Sequence, residues 1–134
     1  MPVVLTKESV DLGIITRSAE PMLAFYRDLL GLTPVGESPM PGGGTMHRLM
    51  AGTSMIKIVH QEATPAEAVP GGIGGATGYR YWTLTVSNLE EITAACEGAG
   101  HKVPIPVTAL PGGIRISIVE DPDGNWVEFL QADS

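Results

Sequence analysis

The segment VEDPDGNWVEF, Val119–Phe129, combines a turn sequence with an alternating apolar strand. Its Asp-Pro-Asp-Gly stretch favours a tight turn, because Pro presets one backbone angle and Asp and Gly suit the remaining positions. In the strand that follows, successive side chains point to opposite faces, so Val127 and Phe129 share one face and Glu128 lies on the other. A carboxylate in this position either faces water or lines a site, and its neighbours decide between the two.

Size and charge limit the kinds of protein this chain can be. It has 134 residues, 43% of them hydrophobic, which suffices for one domain with a core. The net charge is −7 with only eight Lys and Arg residues, too few for the clusters of cations that nucleic-acid backbones require. No apolar run is long enough to span a bilayer. We therefore expect neither nucleic acid nor membrane as a partner.

The N-terminus and the cysteine content indicate where the protein works. The sequence MPVVLTKES lacks a basic region followed by a long apolar stretch, so it does not look like a signal peptide. Cys96 is the one cysteine, so it cannot form an internal disulfide. These features predict a cytoplasmic protein in which Cys96 is a plain core or surface residue.

The first half of the chain predicts a strand, a helix, a short strand and a β-hairpin, in that order. Ser9–Thr16 alternates and is rich in β-branched residues, and Ser18 can cap a helix that Gly31 would end. A short strand near Thr33–Glu37 precedes a loop rich in Pro and Gly. The hairpin strands are Thr45–Met50 and Met55–His60, joined across Gly52 and Thr53.

The second half repeats this order at a constant offset. Leu12 corresponds to Trp82 and Ile14 to Leu84, so the offset is 82 − 12 = 70 residues. The repeated elements are a strand over Tyr81–Val86, a helix capped by Asn88 and ended by Gly98 and Gly100, a short strand over His101–Val107, and a hairpin of Gly113–Val119 with Asn125–Leu130.

The repeat predicts a single domain of class α+β built from two tandem βαβββ modules. Module one covers about 8–60, a linker rich in Gly, Pro and Ala covers about 61–78, and module two covers about 79–131. Neither module is large enough to bury its sheet alone, so we expect the two to pack into one domain, 1–134, or to pair across a dimer.

The chain resembles the vicinal oxygen chelate superfamily, which includes glyoxalase I, bleomycin-resistance and fosfomycin-resistance proteins, methylmalonyl-CoA epimerase and extradiol dioxygenases. Two segments carry the resemblance, LAFYRDLLGL, Leu23–Leu32, in the first repeat and VEDPDGNWVEF in the second. The resemblance covers nearly the whole chain. It implies two βαβββ modules whose mixed sheets curl into a cleft, with the helices outside.

The resemblance also implies a metal site of four strand residues, two per module, that are commonly His, Glu or Gln, His and Glu. Carried over by position, these residues are Asp11, Lys57, Tyr81 and Glu128. A protonated ammonium group repels a divalent cation, and neither usual His position holds a His. We therefore predict a site without metal or other cofactor, in which these four residues are the catalytic set.

Alternation predicts which residues surround that set. A two-residue turn in the first hairpin places Arg48 opposite Lys57, whereas a register slip would place His47 there. In the last hairpin, alternation predicts that Ile114, Ile116 and Ile118 form the apolar face, which places Arg115 and Ser117 on the face of Glu128. The predicted substrate-binding residues are His47, Arg48, Met55, Arg115, Ser117 and Trp126.

Two carboxylates, a lysine and a tyrosine in one concave site predict proton transfer without metal. Asp11 or Glu128 would be the base, Lys57 would stabilise an enolate oxygen, and Tyr81 would donate a hydrogen bond to it. The expected reaction is that of an epimerase, isomerase or lyase on a small, partly hydrophobic carbonyl compound.

Two alternatives stay open at this point. One is a non-catalytic protein that binds and sequesters a small molecule, as in the bleomycin-resistance branch. The other is a metal-dependent glyoxalase or dioxygenase. In every case we expect a homodimer that covers exposed edge strands, and glycine-rich segments that act as mobile flaps over the cleft.

Overall fold

The computed structural model describes residues 1–63 and 65–133 and divides the chain into two compact units. Unit one is Met1–Ala66 and unit two is Glu67–Ser134. Each unit contains one strand, one helical segment and then three strands. The predicted class, α+β with two tandem βαβββ modules, is confirmed. In the described part of the chain, no helix has the length and apolar character needed to cross a membrane.

Unit one forms a four-stranded mixed sheet with the order β1-β4-β3-β2. Strand β1 is parallel to β4, and the other neighbouring pairs are antiparallel. The elements are β1 Leu12–Thr16, α1 Ala19–Leu23 with a π-helical continuation over Ala24–Leu29, β2 Thr33–Pro39, β3 Gly44–Ala51 and β4 Ser54–Gln61.

Unit two repeats this sheet with the order β5-β8-β7-β6, again with its first and last strands parallel. A short 3₁₀ turn over Gly72–Gly74 precedes the sheet. The elements are β5 Tyr81–Thr85, α2 Leu89–Gly98, β6 Ile105–Leu110, β7 Ile114–Glu120 and β8 Trp126–Ala132.

Apolar side chains bury one face of each sheet under the helix of the same unit. In unit one, Phe25 and Tyr26 are fully buried and stack edge-to-face with ring centroids 4.8 Å apart. In unit two, Val127 and Phe129 of β8 are buried together with Cys96 of α2. Burial of each such side chain contributes about 1.5–3 kcal/mol. Cys96 is thus a core residue, and loss of solvent raises the pKa of its thiol to about 11.

The predicted helix ends are correct in position, but the predicted side-chain caps do not form. Ser18 and Asn88 hold the N-cap positions without a side-chain capping hydrogen bond. At α2 the side-chain oxygen of Gln131 accepts instead from the Leu89 N–H, at 2.9 Å. Gly31, with φ of 74°, follows the helical segment of unit one, as predicted.

The turn between β7 and β8 is held by the side chain of Asp121, which is 4% exposed. Its Oδ1 accepts from the backbone N–H groups of Asp123 and Asn125, each at 2.9 Å. Its Oδ2 accepts from the Asn125 side-chain amide at 2.8 Å. The carboxylate therefore accepts three hydrogen bonds within the turn.

Replacing Asp121 should destabilise the fold. We expect Asp121→Ala to lower the free energy of unfolding by about 2–4 kcal/mol, because it removes the buried acceptor of three hydrogen bonds. Asp121→Asn keeps an acceptor for the backbone donors and should cost about half as much. Urea denaturation monitored by circular dichroism measures both values. An alanine variant within about 0.5 kcal/mol of the original would contradict this role.

Candidate functional site

The sheet of unit two presents Glu128 on the face opposite α2. Register places Thr83 beside Glu128 on one side and Ile118 on the other. The Thr83 hydroxyl donates to Glu128 Oε1 at 2.6 Å. Residues on this side are called here the Glu128 face; they include Tyr81, Thr83, Ile116, Ile118, Trp126 and Glu128.

Arg115 and Ser117 lie on the opposite side of the sheet, so their predicted position beside Glu128 is wrong. Ser117 is opposite Phe129, is fully buried, and is hydrogen-bonded to Thr93 of α2 at 2.7 Å. Arg115 forms an ion pair with Glu90 of the same helix. Glu120 pairs with Trp126 across residues 121–125, and this odd turn length puts even-numbered β7 residues on the face of Glu128. The isoleucines thus line the site side of the sheet.

The sheet of unit one presents Lys57 on the equivalent side. Arg48 is directly opposite Lys57, as the two-residue turn predicted. Gly13 flanks Lys57 on β1, and Gly36 flanks Arg48 on β2. Residues on this side are called here the Lys57 face; they include Asp11, Gly13, Gly36, Ser38, Arg48, Met55 and Lys57.

His47 belongs to the other side of this sheet, so the prediction that it could replace Arg48 opposite Lys57 is wrong. It pairs with Ile58, whose side chain is fully buried. Its Nδ1 lies 3.1 Å from Glu37 Oε2. Together with Leu23 and Arg27 it lines a small groove of about 180 Å³. Alternation alone separates His47 from the Lys57 face once the turn length is known.

The Asp11 carboxylate is already hydrogen-bonded within unit one. Its Oδ1 accepts from Lys7 Nζ at 2.7 Å and from the Met55 backbone N–H at 2.9 Å. The hydrogen bond from Lys7, followed by that from Met55, lowers the pKa of Asp11 below its ordinary value, and the charge of Lys57 acts in the same direction. Asp11 is therefore ionised at neutral pH and is a weak base.

Removing Lys7 should raise the pKa of Asp11 towards its ordinary value. We expect Lys7→Gln to move the Asp11 titration midpoint upward, as followed by NMR of the side-chain carboxyl carbon. Because the folded pKa is lowered, this group stabilises the fold above its unfolded pKa, and the stabilisation is lost as pH falls through the folded pKa. Asp28, whose pKa is lowered by Arg27, is the internal control and should not move. An unchanged Asp11 midpoint would contradict the assignment.

The residues at the four positions implied by the fold family do not fit a divalent metal. Asp11 and Tyr81 can offer oxygen, but Lys57 brings a positive charge. Glu120, a second carboxylate on the Glu128 face, accepts a hydrogen bond from the Trp126 indole N–H at 3.3 Å. Within residues 1–63 and 65–133, no group of three or more His, Cys, Asp and Glu side chains is arranged to hold a metal ion.

A loop that sequence analysis assigned to a linker lies against the Glu128 face. The Arg80 guanidinium donates to the backbone oxygens of Gly72 at 2.6 Å, Val69 at 2.8 Å and Pro70 at 3.2 Å. Gly72 packs against the indole of Trp126 so closely that a Cβ atom would overlap the ring. Beside this loop, Ile73, Tyr79 and Tyr81 line an open groove of about 430 Å³. Because the acceptors are backbone oxygens, the sequence carries no side-chain pattern that would predict this arrangement.

Glycine at position 72 should be required for the loop to contact Trp126. Gly72→Ala adds a methyl group that overlaps the indole, at a φ of 55° that L residues rarely adopt. We expect a loss of about 1–3 kcal/mol in the free energy of unfolding and a change in tryptophan emission. Gly74→Ala is the matched control, because open space surrounds a Cβ there. Equal effects of the two substitutions would contradict the close packing.

The chain belongs to the Glyoxalase/Bleomycin resistance protein/Dioxygenase superfamily, whose family model matches residues 9–129. The resemblance carried by Leu23–Leu32 and Val119–Phe129 is thereby confirmed. A comparison with curated proteins gave no match.

Several solved structures share the fold at low sequence identity. A glyoxalase family protein from Bacillus cereus is 16% identical with a TM-score of 0.82, and the alignment covers 96% of this chain and 95% of that chain. The glyoxalase family protein from Enterococcus faecalis is 21% identical with a TM-score of 0.66, over 95% and 96%. TnmS3, an antibiotic binding protein from Streptomyces sp. CB03234, is 18% identical with a TM-score of 0.71, over 97% and 100%. At this identity the likeness shows the fold alone.

Proposed function

We propose that the protein is a metal-independent enzyme that transfers a proton on a small, partly hydrophobic carbonyl compound, as an epimerase, isomerase or lyase. The observation that carries this proposal is that the Glu128 carboxylate is oriented by a hydrogen bond but has no cationic partner among the described residues. Its Oε1 is oriented by the neutral Thr83 hydroxyl at 2.6 Å, and no described residue forms an ion pair with it. A carboxylate that is positioned but not neutralised is suited to act as a base.

The contacts of the two carboxylates favour Glu128 over Asp11 as that base. Asp11 is held by Lys7 and the Met55 amide, which lower its pKa, whereas the hydrogen bond to Glu128 comes from an uncharged group. We assign Tyr81 to hydrogen bonding with the substrate oxygen, because it lies on the Glu128 face two residues from Thr83.

The proposed step moves one proton and one electron pair. Glu128 takes the proton from the carbon next to the carbonyl, and the electrons of the broken C–H bond form a carbon–carbon double bond. The carbonyl electrons move to oxygen, which becomes an enolate. Return of a proton to carbon restores the carbonyl. Positioned acid–base groups of this kind contribute roughly 10²–10⁴-fold to the rate.

A second candidate function is binding of a small molecule without chemistry. Trp126 and the half-exposed Tyr81 lie on the Glu128 face, and the open groove at Ile73 and Tyr79 adjoins them. Aromatic side chains of this kind bind planar and cationic ligands. The shared fold with TnmS3, an antibiotic binding protein, is consistent with such a role.

We also propose that the chain forms a homodimer in the cytoplasm. Strands β2 and β6 are at sheet edges, where their unpaired backbone groups favour pairing with another chain. Val35 on β2 is 53% exposed and Leu110 on β6 is 40% exposed, which adds apolar surface at both edges. Sedimentation of the purified protein measures the oligomeric state.

Substitution of Glu128 should separate the two candidate functions. In D₂O, an enzyme of this type incorporates deuterium at the carbon beside the carbonyl of its substrate, and mass spectrometry of a panel of carbonyl compounds detects it. We expect Glu128→Gln to lower the exchange rate by about 10²–10⁴-fold with ligand affinity retained. Glu91→Gln, which removes an exposed carboxylate of α2, is the matched control and should keep the original rate.

Two outcomes would contradict the proposed enzymatic function. One is exchange at the original rate in Glu128→Gln. The other is tight binding of an aromatic ligand by the original protein with no exchange on any carbonyl compound tested, which would support the binding function instead.

A further inference from the structure

A row of four residues crosses the whole sheet of unit one on the Lys57 face. In strand order it is Gly13 on β1, Lys57 on β4, Arg48 on β3 and Gly36 on β2. The two central residues are cations at directly opposite positions of an antiparallel pair. Their two neighbours have no side chain, so nothing on β1 or β2 in this row covers the charges.

Two like charges directly opposite each other destabilise a sheet unless an anion lies between or above them. In residues 1–63 and 65–133, no carboxylate is within ion-pair distance of Arg48 or Lys57. Asp11, the acid on the same face, is bound to Lys7 instead. A pair of unneutralised cations is notable in a chain with a net charge of −7.

The Arg48 guanidinium is held in place from within the sheet. Its Nη2 donates to Ser38 Oγ on β2 at 2.8 Å, and it extends past Gly36, where a Cβ would be 3.9 Å from Nη1. A guanidinium has several further N–H donors, which match the oxygens of a carboxylate or phosphate. Over Gly13, no atom lies within 4 Å of the place where a Cβ would be, so the face is also open beside Lys57.

The corresponding row in unit two has a different chemistry. It consists of Thr83, Glu128, Ile118 and Ile105. The repeat therefore does not require cations at these positions, because the same sheet geometry forms with a carboxylate and two apolar residues. The cation pair is specific to unit one.

We infer that Lys57 and Arg48 bind an anionic oxygen group, a carboxylate or a phosphate, of the molecule on which the protein acts. Ser38 is a positioning residue that orients the guanidinium. The reaction assigned to such a molecule rests on the proposed function, in which the substrate is then a carbonyl compound that also carries this anionic group. Binding of the anion is a separate property and is measured without turnover.

The test is an NMR titration of the ¹⁵N-labelled protein with pyruvate, inorganic phosphate and methyl pyruvate, which differs from pyruvate by loss of the charge. We expect the two anions to shift the amide signals of residues 36, 48 and 57. We expect Arg48→Gln and Lys57→Gln each to weaken binding by about tenfold or more, since each removes a charged hydrogen-bond donor. Lys102→Gln, which removes an exposed cation of unit two, should change affinity by less than about twofold.

The relative affinity of the two anions identifies the group, because pyruvate supplies a planar carboxylate and phosphate a tetrahedral oxyanion. The inference is overturned if neither anion binds, if methyl pyruvate binds as well as pyruvate, or if both substitutions leave affinity unchanged. Ser38→Ala is a further arm that keeps both cations, and it should weaken binding without abolishing it. Glu128→Gln should retain anion binding, so failure of the deuterium exchange and failure of anion binding are distinguishable.

Discussion

Strand register is the constraint on which every site assignment depends, because a slip of one residue moves each side chain to the opposite face of its sheet. In unit one, a two-residue turn pairs Arg48 with Lys57. In unit two, the longer turn over residues 121–125 pairs Ile118 with Glu128, and Asp121 holds that turn through its hydrogen bonds. The chemistry of both faces therefore follows from two turns that contain no proposed catalytic residue.

The elements that follow from local patterns could be predicted from the sequence. The two repeats are recognisable because each strand and helix has its own periodicity, and the 70-residue offset relates β1 to β5, for example Leu12 to Trp82. The position of Arg48 opposite Lys57 followed from the short turn between their strands. Glu128 could be separated from Val127 and Phe129 by alternation, and burial of the latter two confirms it.

Features that depend on contacts distant in sequence were not predictable in the same way. Arg115 and Ser117 were assigned to the wrong face because the isoleucines between them look like core residues, whereas the turn length decides the face. The Gln131 side chain caps α2 from a strand 42 positions away. Arg80 organises the loop at Gly72 by bonds to backbone oxygens, for which the sequence carries no pattern. The turn length would have given the correct face for Arg115 and Ser117. The contacts of Gln131 and Arg80 are visible only in the folded structure.

The two faces divide the proposed chemistry, with cations at Lys57 and Arg48 in unit one and a positioned base at Glu128 in unit two. In our proposal, the chemistry of neither face uses a divalent metal. Thermal unfolding of the purified protein during titration with nickel, zinc, manganese and cobalt tests it most directly, because an ion bound to the native state must raise stability. We expect no stoichiometric binding and no stabilisation by any of the four ions. A clear shift with one ion at one equivalent would contradict it.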